Sequence, residues 1–109
     1  MSGSSKRVLV IVPAYNEARS LPGLIGELRA VPMSLDVVVV DDGSRDGSWM
    51  VADGLGVAAL RNPFNLGIGG AMQTAYKYAV EEGYDIAIQV DGDGQHQDRK
   101  STRLNSSHV

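Results

Sequence analysis

Three short runs dominated by aliphatic and β-branched residues, Lys6 to Val12, Leu35 to Val40 and Asp85 to Val90, set what this chain can fold into. They lack the polar alternation of a strand with one face in water. Each therefore reads as a strand covered on both faces, as the central strands of parallel sheets are. Between the first two runs, Leu21, Leu24, Ile25 and Leu28 recur at i, i+3, i+4 and i+7 within Glu17 to Val31, the stripe of an amphipathic helix. Ser20 ahead of Pro22 offers a second start for that helix, with Ser as N-cap and Pro in the first turn. Pro13 is expected to stop the first strand, and Pro32 to close the helix.

The same alternation continues downstream. Asp46 or Ser48 can cap a short helix through Leu55, and Val57 to Leu60 reads as a weaker strand ended by Asn62-Pro63. A third helix from Asn65 to about Glu82 puts Ala71, Ala75, Tyr78 and Ala79 on one face, where small residues allow close packing, and Gly83 ends it. Strands alternating with helices imply right-handed crossovers and an α/β fold. The expectation is a Rossmann-like parallel sheet of order 3-2-1-4 flanked by helices, with a topological switch between the first and fourth strands. Ligands bind at such a switch, outside the carboxyl ends of the strands.

Composition narrows the function classes. Charged residues make up 21% and hydrophobic ones 43%, the balance of a soluble globular domain, and the length suits one domain. A net charge of −3 without a basic, aromatic-laced patch argues against nucleic-acid binding. Without cysteine there is no disulfide, thiolate metal site or cysteine nucleophile. The longest apolar run, Val8 to Ala14, is far short of the ~20 residues that span a bilayer, and no secretory leader pattern precedes it. Residues 1–6 read as a disordered N-terminus and 7–97 as the domain. Residues 98–109 turn abruptly polar and basic and read as a non-domain tail. Two origins stand for it, a natural basic linker or translated sequencing-adapter read-through, and the second is favoured.

Polar loops follow three of the strands. The most suggestive is Asp91-Gly92-Asp93-Gly94-Gln95-His96, two carboxylates two apart with glycines that let both turn to one point, as a hard divalent cation requires. Taken alone, such a turn is more often only a turn. The Pro13 to Glu17 loop and Asp41-Asp42 fall at the same edge of the sheet, which favours a site.

Taken together, Val10-Ile11-Val12-Pro13-Ala14-Tyr15-Asn16-Glu17, Val38-Val39-Val40-Asp41-Asp42-Gly43-Ser44, Asn65-Leu66-Gly67-Ile68-Gly69-Gly70-Ala71 and Asp91-Gly92-Asp93-Gly94-Gln95-His96 resemble family 2 glycosyltransferases of the GT-A fold. The likeness covers roughly residues 7 to 96. It is greatest to the branch of dolichol-phosphate mannose synthases and polyprenyl-phosphate glycosyltransferases. The resemblance implies the nucleotide-binding half of a GT-A enzyme and an inverting transfer from a UDP- or GDP-sugar, with a polyprenyl phosphate as acceptor and Mg²⁺ or Mn²⁺ as cofactor. It assigns the metal to Asp91, Asp93 and Gln95. It assigns the nucleotide sugar to Pro13, Tyr15, Glu17, Asp42, Gly69 and Asp91, with Asp41 as the competing choice to Asp42. Gly67, Gly69 and Gly70 would let backbone approach the ligand or the next strand. The usual Pro after Gln95-His96 is missing, and no acceptor half follows, so the resemblance implies a donor-binding fragment with little or no turnover, from a parent enzyme at the cytoplasmic face of a membrane.

Each residue also has a plainer role. Tyr15 can be a packing aromatic, Glu17 a first-turn helix residue favoured by the dipole, and Asp41 a turn cap. Trp49 and Phe64 read as core or hinge packing. A sugar nucleotidyltransferase is disfavoured because no basic, glycine-rich loop follows the first strand, and a non-catalytic nucleotide-binding or interaction module is the remaining alternative.

Overall fold

In a computed structural model, the chain is described over residues 6–91, and over 104–108 as backbone. Eight elements follow in order: β1 (Val8–Ala14), α1 (Leu21–Arg29), β2 (Asp36–Asp42), α2 (Ser48–Gly54), β3 (Ala58–Asn62), α3 (Gly67–Glu81), β4 (Ile86–Val90) and β5 (Leu104–His108). The sheet order is β3-β2-β1-β4-β5. The first four strands are parallel, as the alternation of elements requires, and β1 lies between β2 and β4 at the switch point.

The continuous apolar runs are explained by what covers them. Leu9, Ile11, Val38 and Val40 face α3, where Ala71, Ala75 and Ala79 are fully buried and bring the helix close to the sheet. Val10, Val12, Val39 and Val90 face the other way, onto Leu21, Leu24 and Ile25 of α1 and Ala52 of α2. Alternate residues of one strand thus enter two separate cores, and no position in the middle of β1 is available to water. Burying each Leu, Ile or Val contributes roughly 1.5–3 kcal/mol.

Three boundaries differ from the sequence expectation. β1 does not stop at Pro13 but runs through it, with Pro13 opposite Val40 and Ala14 opposite Asp41. Pairing of β1 with β4 has already ended at Ile11–Gln89, so Pro13 sits where the strand has a single neighbour and its missing N–H costs little. β2 continues through Asp41 and Asp42, so the acidic pair closes the strand instead of following it. α1 starts at Leu21 after Ser20, the later of its two starts, but Ser20 makes no side-chain cap and its hydroxyl donates to the Glu17 carbonyl at 3.1 Å. Glu17 therefore precedes the helix and is not in its first turn.

Leu104–His108 pairs antiparallel along β4, from Ile86–His108 to Val90–Leu104. Ladder hydrogen bonds are made by backbone, so a polar segment without apolar periodicity can still add a strand to an open edge.

At the amino ends of the strands, the Tyr84 hydroxyl donates to Asp36 Oδ2 at 2.8 Å, and the Arg7 guanidinium lies 4.4 Å from the Tyr84 ring centroid. Burial, then the bond to Asp36, pushes the Tyr84 hydroxyl up to about 12. These contacts brace the amino ends of the strands, and the cleft described next lies at the other end.

Candidate nucleotide-sugar site

Where β1, β2 and β4 end, Pro13, Ala14, Tyr15, Glu17, Asp42, Asn65, Gly67, Ile68, Ala71 and Asp91 line a cleft of about 390 Å³. That volume falls within the ordinary range for small-molecule pockets. The switch point is responsible: the chain leaves β1 for β2 on one side of it and returns through α3 to β4 on the other, which opens a crevice at the carboxyl ends of β1 and β4.

The two walls are built by hydrogen bonds between loops that are remote in sequence. On the β1 side, Asn16 adopts a left-handed backbone at φ 55, a conformation Asn tolerates better than most residues. Its N–H donates to Ser44 Oγ at 2.8 Å, and its Oδ1 accepts from the Arg45 N–H at 2.9 Å. The Glu17 N–H donates to Ser48 Oγ at 3.0 Å, and the Ala18 N–H to Asp46 Oδ2 at 3.0 Å. Asp46 also accepts from the Ser48 hydroxyl at 2.6 Å and the Ser48 N–H at 3.1 Å. Desolvation works to raise the Asp46 pKa, but these bonds outweigh it and hold the carboxyl below the usual aspartate range. Neither Asp46 nor Ser48 takes the cap position of α2, which is Gly47 at φ 80; Asp46 instead accepts from Ser48, the first residue of the helix.

The acidic pair at the end of β2 divides its work. Asp41 is 0% exposed; it accepts from the Ser44 N–H at 2.8 Å and the Trp49 N–H at 3.2 Å, and so holds its own turn. It does not line the cleft. Asp42, 5% exposed, does line it. Its Oδ1 accepts from Asn62 Nδ2 and the Leu66 N–H, both at 3.0 Å, and its Oδ2 from the Gly67 N–H at 2.9 Å. Leu66 is the cap residue and Gly67 the first residue of α3, so Asp42 accepts from N–H groups at the helix start. A carboxylate has about four acceptor positions, which leaves Asp42 about one for a ligand.

Gly43 makes this arrangement possible. It has φ +80, and a Cβ there would lie 2.5 Å from the Asn65 nitrogen and 2.6 Å from the Phe64 carbonyl carbon. The loop after β2 is therefore pressed backbone to backbone against the entry to α3.

Of the residues singled out in the sequence, the structure brings Pro13, Tyr15, Glu17, Asp42 and Asp91 together around the cleft. Tyr15 is 44% exposed there. Gly69 is not brought to it, whereas Gly67, at φ +81, is. Phe64 does not pack in a core: it is 67% exposed, because the tight Gly43 contact takes its backbone and turns the ring outward. Trp49 is half-buried with the Arg61 guanidinium 4.8 Å from its ring centroid. Asn16, Ser44, Ser48 and Asn62 carry more of the site's geometry than the sequence indicated. The one usable signal was that three of them are short polar residues in or beside the loops at strand ends.

Asp91 is the one member of the expected metal set that lies among the described residues; Asp93, Gln95 and His96 lie outside them. Gln89 Nε2 donates to Asp91 Oδ1 at 3.3 Å, so the side chain is steadied from its own strand. A carboxylate on the cleft wall is the hard oxygen donor that Mg²⁺ or Mn²⁺ takes. Among the described residues, no three acidic, His or Cys side chains gather as a complete metal-holding group.

The Glycosyl transferase family 2 sequence model matches residues 9–105. The chain belongs to glycosyl transferase family 2. Among curated members, it is 44% identical over 104 residues to undecaprenyl-phosphate mannosyltransferase of Micrococcus luteus, covering 90% of this chain and 42% of that protein. It is 32% identical over 106 residues to polyprenol monophosphomannose synthase of Mycolicibacterium smegmatis, covering 92% and 40%. In three dimensions it resembles a mannosyltransferase from Pyrobaculum calidifontis in complex with GDP-Man and Mn²⁺, at a TM-score of 0.75 and 27% identity over 84% of this chain and 28% of that one. This family member therefore spans about two-fifths of the length of these curated relatives, and its α/β sheet is the one expected for the nucleotide-binding half of a GT-A glycosyltransferase. No helix among its described residues is long and apolar enough to cross a membrane.

Proposed function

We propose that this chain forms the donor-binding part of a glycosyltransferase that takes a UDP- or GDP-sugar and, in the whole protein, passes the sugar to a polyprenyl phosphate with inversion. One observation carries the reading: the sheet's switch point sets the Asp42 carboxylate and the Asp91 carboxylate in the walls of one cleft beside Tyr15 and Glu17. A base N–H can donate to the remaining acceptor position of Asp42, a contact open to both uracil and guanine. Tyr15 offers a ring and hydroxyl to the nucleoside, and the Pro13-Ala14 backbone forms the floor between the two acidic walls.

Asp91, with Asp93 and Gln95, would hold Mg²⁺ or Mn²⁺. When bound, such an ion offsets the negative charge that builds on the departing diphosphate. The chain's own part is to orient: Asp42 fixes the base end, Asp91 the diphosphate end, and the anomeric carbon is then set facing out of the cleft toward an acceptor. The polyprenyl phosphate acceptor rests on the names of the relatives in Micrococcus luteus and Mycolicibacterium smegmatis.

A thermal-shift titration tests this. UDP or GDP together with Mn²⁺ is expected to raise Tm more than either component alone, because a ligand that binds only the folded state stabilises it. The gain from metal should vanish in the Asp91→Asn/Asp93→Asn double variant. A module that binds a protein partner without nucleotide gives no joint effect of metal and nucleotide, and that result would remove the proposal.

A further inference from the structure

Asp42 is held by more than its own loop. Asn62 closes β3 at 6% exposure and donates from Nδ2 to Asp42 Oδ1 at 3.0 Å. Because a carboxylate only accepts, the amide is fixed with its nitrogen toward Asp42 and its oxygen turned to α3. There Thr74 Oγ1 stands 3.2 Å from Asn62 Oδ1 and 3.1 Å from the Gly70 carbonyl oxygen. Both oxygens are acceptors and the hydroxyl carries one proton, so Asn62 Oδ1 shares it with the back-bond to Gly70 that a helical threonine ordinarily makes. The Asn62 contact is different: it joins the middle of α3 to the end of β3, and through the amide to the cleft.

We infer that Asn62 and Thr74 are positioning residues for nucleotide binding, a partly buried polar relay that fixes the rotation of the Asp42 carboxylate and so the direction of its free acceptor position. Neither residue lines the cleft. Their effect reaches the ligand through Asp42. Without the relay, Oδ1 keeps the Leu66 N–H and Oδ2 the Gly67 N–H, both from one side, and the carboxylate can tilt toward the helix start. An acceptor that wanders loses part of the directional preference of its hydrogen bond. The inference rests on the donor-binding reading above.

Thr74 is the better probe, since Val keeps the shape and removes the hydroxyl, and Ser keeps the hydroxyl. Titration calorimetry with UDP and with GDP, each with Mn²⁺, is run on the full chain and on Thr74→Val and Thr74→Ser. Thr74→Val is expected to bind the preferred nucleotide about fivefold more weakly, part of the roughly 10- to 100-fold that the Asp42 bond itself carries. Thr74→Ser should stay within about twofold of the unaltered chain, because it retains the hydroxyl donor. Equal affinity of Thr74→Val and the unaltered chain overturns the inference, as does a Ser variant as weak as the Val one. An unaltered chain that binds neither nucleotide overturns the donor-binding reading itself, and this inference with it.

Discussion

Replacing Gly43 by Ala is expected to lower the unfolding free energy by roughly 2–5 kcal/mol, combining left-handed backbone strain with overpacking. The added Cβ would meet the Asn65 nitrogen at 2.5 Å and the Phe64 carbonyl carbon at 2.6 Å, and both are backbone atoms that cannot swing aside. The loops must separate, and Asp42 then loses its hold on the Leu66 and Gly67 N–H groups. Gly47 is the natural control. It has the same φ of +80, but the nearest atom to an added Cβ is the flexible Met50 Sδ at 4.0 Å. Gly47→Ala should cost about 1–2 kcal/mol, the strain alone. Urea denaturation of both variants measures the difference. Equal losses would mean that the contact between the two loops contributes nothing to stability.

Asp42→Ala is expected to weaken nucleotide binding by roughly 10- to 100-fold, the loss of a hydrogen bond to a charged acceptor. It should also cost about 2 kcal/mol of stability through the buried Asn62 amide left without its acceptor. The Leu66 and Gly67 N–H groups belong to exposed residues and can turn to water instead. Asp42→Asn separates the two effects. It keeps the volume but offers one acceptor oxygen in place of two, so binding should fall while stability falls less. Calorimetric titration with UDP and GDP reads the first effect and urea melts the second. Unchanged affinity in both variants would show that the base is held elsewhere.

Much of this fold was legible because its strongest signals are local. Val37 to Val40 and Val8 to Val12 announce central strands by composition, and the alternation with helices implies parallel pairing, with 3-2-1-4 as the simplest order. Asp42 was legible as a cleft residue because it ends a strand beside the switch point. What escaped is long-range. The bonds from Asn16 to Ser44, Glu17 to Ser48 and Ala18 to Asp46 join residues about thirty apart, and no periodicity encodes them. Nothing local marks the Asn62–Thr74 contact either, since Asn before Pro63 reads simply as a breaker. Phe64 misled because hydrophobicity says bury, while the backbone contact of its loop decides otherwise. Gly69 misled because a run of glycines suggests close approach, yet nothing lies within 4 Å of where its Cβ would be.

The cleft is expected to take a nucleoside diphosphate. The most direct measurement is a ¹H–¹⁵N NMR titration of the full chain with UDP and with GDP in the presence of Mg²⁺. The expected result is amide shifts at Tyr15, Glu17, Asp42, Gly67 and Asp91, with Arg7, Asp36 and Tyr84 at the far end of the sheet unmoved. Shifts confined to that far end, or none with either nucleotide, would contradict it.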